Sequence, residues 1–147
     1  MKNDLFAISA LLFLVAAILG VCATLGDVVR LKPEGMNKAY PVTVDQAWEI
    51  TEAVFRWVGA EAIEKHRSEG YALTGTGVNM ITAGALIGVW IDPVDKDHTR
   101  VTVVTKRRFI IDPATGLKES TFQQLFAKAV EILKAGKPLP IKLEAQF

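Results

Sequence analysis

The sequence is poor in the residues that metal, redox and thiol chemistry require. Its 147 residues include one cysteine, Cys22, and two histidines, His66 and His98, which lie far apart. A single cysteine excludes an internal disulfide, and because Cys22 lies in an apolar run the rest of the chain has no thiol nucleophile. Neither histidine has other metal-binding side chains at ligand spacing. We therefore expect no metal site and no cofactor.

An excess of charge of either sign is also missing. Lys and Arg together number 17 and Asp and Glu 16, which gives a formal net charge of +1. This balance gives no reason to expect nucleic acid or an acidic polymer as a partner. The pair Gly75 and Gly77 has Met80 where a dinucleotide-binding loop needs its third glycine, so a nucleotide site is not expected either.

Carboxylate clusters occur, but in ordinary structural settings. Glu61 and Glu64 lie on a predicted strand, and the other cluster, residues 92–98 (DPVDKDH), is a typical turn sequence in which aspartates bond to the backbone. No G-x-S-x-G motif accompanies the histidines. The sequence therefore predicts no enzyme activity.

What is present at the N-terminus is a long uncharged run, residues 5–26. Three interpretations are open. Residues 19–24 (LGVCAT) resemble a lipobox, in which cleavage before Cys22 precedes lipidation of its thiol, although Val21 is bulkier than the usual small residue. Signal-peptidase cleavage after Ala23 is the second interpretation, and an uncleaved membrane-spanning helix is the third. All three place the rest of the chain outside the cytoplasm, in a bacterial envelope and facing the periplasm.

The remaining sequence divides into a tether and one domain. Residues 27–38 are polar and contain proline and glycine, which is typical of a tether. Residues 39–147 predict a single α+β domain in the order β-α-β-β-β-β-α: a two-layer sandwich of a mainly antiparallel sheet with two helices packed on one face. The predicted elements are strands near 39–42, 60–66, 71–77, 86–91 and 99–109, with helices over 43–59 and 120–135, and residues 140–147 could form a last strand or an arm.

Both predicted helices carry start and stop signals. Thr43 and Gln46 form a T-x-x-Q capping box, and Gly59 has the position of a left-handed C-terminal cap. Ser120 and Gln123 predict a second capping box.

Five residues are candidates for a contact surface. Trp57 lies off the main apolar stripe of the first helix, Lys106 and Arg108 belong to the only basic run, and Met80 and Ile81 lie in an apolar loop. A solvated strand end is the ordinary explanation of the basic run. Anionic lipid headgroups beside a membrane anchor are the alternative.

A family resemblance rests on residues 40–42 (YPV) before an amphipathic helix, on 66–70 (HRSEG) between two strands, and on 99–103 (TRVTV). The chain resembles short bacterial envelope lipoprotein domains of uncharacterised function and, more distantly, the repeated domain of BamC, a lipoprotein of outer-membrane β-barrel assembly. The resemblance covers about residues 39–135. It implies an α/β layer fold, an envelope location and a binding or scaffold role.

We therefore expect a non-enzymatic, membrane-anchored envelope protein that binds a protein partner. The alternative is a domain that holds a small hydrophobic or lipid ligand between the sheet and the helices. The identity of the partner, the choice of inner or outer membrane and the oligomeric state stay open at this point.

Overall fold

The computed structural model describes residues 23–77, 84–108 and 117–143. In chain order its elements are α1 (Leu25–Arg30), a 3-10 turn (Lys32–Glu34), β1 (Met36–Tyr40), α2 (Val44–Trp57), β2 (Ala60–His66), a second 3-10 turn (Arg67–Glu69), β3 (Tyr71–Thr76), β4 (Ala85–Pro93), β5 (Thr99–Arg107) and α3 (Glu119–Lys134).

The five strands form one sheet in the order β1-β5-β4-β3-β2, and every neighbouring pair is antiparallel. Helices α2 and α3 contact each other and pack on the same face of this sheet. The predicted fold class and the order β-α-β-β-β-β-α are therefore confirmed. The sequence reveals this order because hairpins join strands that are neighbours along the chain, and those elements show clear local patterns.

Helix α2 begins and ends where its local signals predict. Thr43 accepts a hydrogen bond from the backbone nitrogen of Gln46 at 3.3 Å, and the Gln46 side chain accepts one from the backbone nitrogen of Thr43 at 3.0 Å. Gly59 follows the helix with a φ of 83°, a conformation that costs a residue without a Cβ little.

The main core lies between the sheet and the two helices. Phe55 of α2 meets Phe122 of α3 edge to face at 5.8 Å, and both side chains are fully buried. Val89, Val101 and Val103 supply the sheet side. Alternation along β4 and β5 sends every second residue into this layer, so the other half of each strand faces the opposite side of the sheet.

The expectation of a tether over residues 27–38 is wrong. Helix α1 and the first 3-10 turn lie in this range, and β1 starts at Met36 instead of Ala39. Val28 is fully buried against the face of the sheet opposite α2 and α3, which we call the second face. The physical reason is that this face carries its own apolar residues, Leu73, Leu86, Trp90 and Val104, which α1 covers.

The predicted capping box at Ser120 is also wrong. Helix α3 starts at Glu119 after Lys118, without a side-chain cap. Gln123 turns inward: its Oε1 accepts a hydrogen bond from the Tyr40 hydroxyl at 2.6 Å, and its Nε2 donates to the carbonyls of Met36 and Val101 at 3.0 and 3.1 Å. The inward position of Gln123 is favoured because β1 is an edge strand, so the Met36 carbonyl needs a hydrogen-bond partner from outside the sheet.

The C-terminal segment does not form a strand over residues 140–143, and residues 144–147 lie outside the described part. Within the described residues, no helix is long and apolar enough to cross a membrane. Residues 5–22 of the uncharged run lie outside that part.

Candidate functional site

The two ends of the sheet differ in what they present. We call the end at Thr76, Ala85 and Arg107 the entry end, and the opposite end, at Tyr71, Pro93 and Thr99, the turn end. The register fixes these two groups, because Ala85 pairs with Arg107 and Pro93 pairs with Thr99.

Helix α1 runs across the second face from the entry end towards the turn end. The Asp27 carboxylate accepts a hydrogen bond from the Thr24 backbone nitrogen at 2.8 Å, which lowers the pKa of Asp27, and the Lys106 ammonium lowers it further through space. Lys32, after the helix, lies 3.3 Å from Asp92 and 5.9 Å from the centre of the Trp90 ring. Among the described residues, the chain therefore first contacts the sheet at the entry end.

An open cleft of about 450 Å³ lies on the second face beside the first 3-10 turn. It is polar, and its lining comes from that turn and from strands β1, β4 and β5: Lys32, Pro33, Gly35, Asn37, Asp92, Arg100 and Thr102. The turn can approach the sheet because residue 35 is glycine, whose Cβ would otherwise lie 2.8 Å from Cγ2 of Thr102. Arg100 is exposed on this surface and has no ion pair with any described residue.

A second, smaller cleft of about 190 Å³ lies at the entry end, between the end of β5 and the start of α3. It is lined by Ala85, Thr105, Lys106, Arg107, Leu117, Lys118 and Glu119. The single carboxylate is already occupied, since Glu119 Oε1 accepts hydrogen bonds from the Thr105 backbone nitrogen at 2.8 Å and from its hydroxyl at 2.7 Å. The cleft is therefore lined by three cationic residues and by one carboxylate, which keeps its negative charge because both of its hydrogen-bond donors are neutral.

The structure does not place Trp57 on an exposed contact surface. Its side chain is 7% exposed, and its indole nitrogen donates a hydrogen bond to the Pro140 carbonyl at 2.8 Å. Trp57 is buried although it lies off the main helical stripe, because the segment after α3 returns to cover it. A pattern within α2 cannot show this distant contact.

The basic run is placed at the entry end. Alternation puts Lys106 on the second face with Val104, whereas Arg108 extends from the end of β5 across Gly75 to Glu61, where Nη1 and Oε2 are 3.0 Å apart. Of the other predicted residues, Met80, Ile81 and the lipidation candidate Cys22 lie outside the described residues.

The turn aspartates take the structural role that the sequence indicates. Asp95 accepts a hydrogen bond from the Asp97 backbone nitrogen at 2.8 Å, and His98 Nδ1 lies 2.9 Å from the same carboxylate oxygen. The backbone bond is the main cause of the lowered pKa of Asp95. Among the described residues there is no group of three or more His, Cys, Asp or Glu side chains able to hold a metal.

Sequence reasoning missed both clefts. The alternation of Arg100 and Thr102 with the core residues of β5 places both on the second face, and this alternation is visible in the sequence. The cleft around them depends on the position of α1 and the turn after it, which the sequence does not predict. Lys118 was missed because the α3 start was assigned to Ser120.

The chain matches no protein-family model, and no curated protein matches it. Among solved structures, it is similar to one described as the crystal structure of Ara h 8.0201. The two chains are 13% identical with a TM-score of 0.33, and the match covers 70% of this chain and 97% of that one. A similarity at this level carries no inference about function.

Proposed function

We propose that this protein is a non-enzymatic domain anchored to a membrane of the bacterial envelope, facing the periplasm, and that it binds a protein partner through the open cleft on the second face. The observation that carries the proposal is the exposed guanidinium of Arg100 in that cleft, which forms no ion pair with any residue that the structure describes. Arginine and exposed polar rims are enriched where proteins bind one another.

The chemistry of the cleft favours a protein segment that carries a carboxylate. Arg100 offers two parallel N–H donors that match a carboxylate, and Asn37 adds an amide beside it. Lys32 and Asp92 already pair with each other at 3.3 Å, so Arg100 is the cation of this cleft that a partner can neutralise.

The edge strand β1 extends the same surface. Four of its five residues are exposed, and the Met36 side chain is 46% exposed. Methionine is common at protein interfaces because its flexible side chain adapts to a partner. The proposed surface is therefore polar in the cleft and partly apolar at the adjoining edge.

The position of α1 supports the anchored arrangement. Ala23 and Leu25, at the end of the uncharged run, pack with the second-face cluster. A domain joined in this way is held close to whatever its N-terminal segment inserts into, with the open cleft towards the turn end.

The alternative of a hydrophobic ligand between sheet and helices has no specific support. Phe55, Phe122 and Phe126 fill that layer and are fully buried. The two clefts described above lie at the surface and are lined with charged side chains.

A photo-cross-linking experiment in the native host tests the partner site. A photoreactive residue replacing Asn37 should give one discrete adduct in the membrane fraction, whereas the same residue replacing the exposed Lys128 of α3 should not. Arg100→Glu should reduce the adduct by about 30-fold if Arg100 is a binding hot spot. Lys128→Glu is the matched charge-reversal control. An adduct that is insensitive to Arg100→Glu, or the absence of a discrete adduct, overturns the proposal.

The mode of anchoring is tested by the intact mass of the protein from cell membranes. A lipoprotein should lack the residues before Cys22 and carry added acyl mass, and Cys22→Ala should abolish both changes. A mass equal to the full chain rejects lipid modification and leaves an uncleaved helix as the anchor.

A further inference from the structure

We infer that the partner binds as an added β-strand along the free edge of β1, and that this strand is acidic on the side that faces Arg100. The inference rests on the proposed function, in which the cleft around Arg100 binds a protein, and it adds the conformation and the charge of the bound segment. It commits to an extended segment of a partner protein as the occupant, in place of a second copy of this chain.

The first step is the free edge of the sheet. Strand β1 pairs with β5 on one side and, among the described residues, has no strand on its other side. Its first four residues are exposed, and only Tyr40 is buried. The Gln123 amide occupies the Met36 carbonyl, so the added strand pairs from Asn37 onwards. Extended peptides add to such edges through main-chain hydrogen bonds, while their alternating side chains give specificity.

The second step is the charge beside this edge. The lining of the open cleft contains two cations, Lys32 and Arg100, and one carboxylate, Asp92. Asp92 is the cross-strand neighbour of Arg100, but its carboxylate lies 3.3 Å from the Lys32 ammonium. Arg100 has no ion pair with any residue that the structure describes. The charged lining residues therefore carry one positive charge more than Asp92 balances.

The third step is the path from Arg100 to an added strand. Ala39 lies directly opposite Arg100 in the register of β1 and β5, and its small side chain is exposed. A strand added beyond β1 lies two strand spacings, about 10 Å, from β5. Arg108 already reaches over Gly75 to the carboxylate of Glu61 on the opposite edge strand, β2. In the same way, Arg100 extends over Ala39 to a carboxylate on the added strand.

The fourth step distinguishes an acidic segment from a second copy. Lys38 is exposed on β1, and lysine on an edge strand protects a sheet against pairing with itself. Two copies joined along β1 would bring Lys38 and Arg100 of both chains together, and like charges opposite each other across strands are destabilising. Met36 is 46% exposed and lies on the face of β1 opposite Arg100, where it offers an apolar contact. The expected segment therefore alternates acidic and apolar residues.

Two synthetic peptides of eight residues test the charge of the segment. Both alternate valine with a second residue, which is glutamate in one peptide and lysine in the other. Fluorescence anisotropy measures the binding of each labelled peptide to the full chain in mild detergent. The glutamate peptide should bind about tenfold more tightly, because opposite charges across neighbouring strands are favourable and like charges are not.

Two variants at Ala39 test the role of Arg100. Ala39→Glu places a carboxylate directly opposite Arg100 within the domain, so it competes with the carboxylate of the peptide. This variant should bind the glutamate peptide about tenfold more weakly than the unchanged chain. Ala39→Gln has the same size without the charge, and its affinity should stay within about twofold of that of the unchanged chain. Equal affinities of the two variants overturn the inference.

Methylation of the peptide backbone tests strand addition itself. Successive residues of a strand direct their N–H groups to opposite edges. In an antiparallel addition, the pairing found throughout this sheet, either the glutamate or the valine nitrogens face β1. Of two peptides methylated at one set or the other, one should therefore bind about tenfold more weakly. Equal affinities would show binding through side chains alone and overturn the inference.

The cross-linking experiment on the proposed function separates the two claims. An adduct at position 37 that is insensitive to Arg100→Glu overturns the proposed function and the inference with it. A sensitive adduct together with no peptide binding, or with equal binding of the two charged peptides, overturns the inference alone. An adduct with the mass of two chains identifies a second copy as the occupant and likewise overturns the inference.

Discussion

The packing of α1 on the sheet is tested by adding one methyl group at Gly88. A Cβ at this position would lie 2.7 Å from Cγ1 of Val28 and 2.8 Å from Cη2 of Trp90. Carbon atoms pack best at about 3.5–4.0 Å, so both side chains must shift. Overpacking of this kind costs about 1–3 kcal/mol, and we expect Gly88→Ala to lower the free energy of unfolding by about 2 kcal/mol.

The contact with α1 is isolated by combining this change with Val28→Ala. Val28 is fully buried, and removing two methyl groups should cost about 2 kcal/mol on its own. Because the double variant lacks the atom that collides with the new Cβ, part of the strain at Gly88 is relieved. The Trp90 obstacle remains, so we expect a combined loss of about 3 kcal/mol instead of the additive 4 kcal/mol.

The measurement is urea unfolding of the full chain in mild detergent, followed by tryptophan fluorescence. Gly26→Ala within α1 is the control: Gly26 has no positive φ, and its added Cβ would meet only Thr24 Oγ1, at 3.7 Å. That substitution should stabilise the protein by about 0.5–1 kcal/mol. Losses at Gly88 and Val28 that add within about 0.3 kcal/mol would refute the packing of α1 on the second face.

Three further predictions concern the helix starts, the buried Tyr40 of β1 and the C-terminal segment. Thr43→Ala should lower the free energy of unfolding by about 1 kcal/mol because it removes the N-cap of α2. Ser120→Ala should change it by less than about 0.5 kcal/mol, because Ser120 does not cap α3. Equal losses in urea unfolding would contradict the assigned start of α3. Burial raises the pKa of Tyr40 to about 12, so the neutral phenol stabilises the fold fully below pH 10. The free energy of unfolding should fall by roughly 2–3 kcal/mol as the pH rises from 10 to 12. A Tyr40→Phe variant with the same alkaline loss would refute this cause. Trp57→Phe removes the donor to Pro140 and should speed proteolysis after α3, and an unchanged cleavage rate would show that this bond does not hold the segment.

The partial success of the sequence analysis follows from the range of the interactions involved. The α2 cap joins residues three apart, and the second 3-10 turn ends at Gly70, whose φ of 76° is a local requirement. Such features are visible in a short window of sequence. Gln123 was misassigned because its partner Tyr40 lies 83 residues away, and no local pattern distinguishes an inward glutamine from a capping one.

The candidate site was harder to predict than the fold. The basic run identifies Lys106 and Arg108 from the sequence, but Arg108 is paired with Glu61, and Lys106 lies on the second face with Leu86, the face that α1 covers. The cleft around Arg100 exists only because the 3-10 turn after α1 lies on the second face.

The sequence by itself determined the α+β class, the order of the strands with α2 and α3, and both ends of α2, because these follow from periodicity and from hydrogen bonds between near neighbours. Tertiary structure alone decided that α1 and the turn after it join the domain, that Trp57 is covered, and which charges meet at each end of the sheet. The reason is that a six-residue helix such as α1 has too little periodicity to be recognised and becomes stable only by burying Val28 against a sheet assembled from distant parts of the chain.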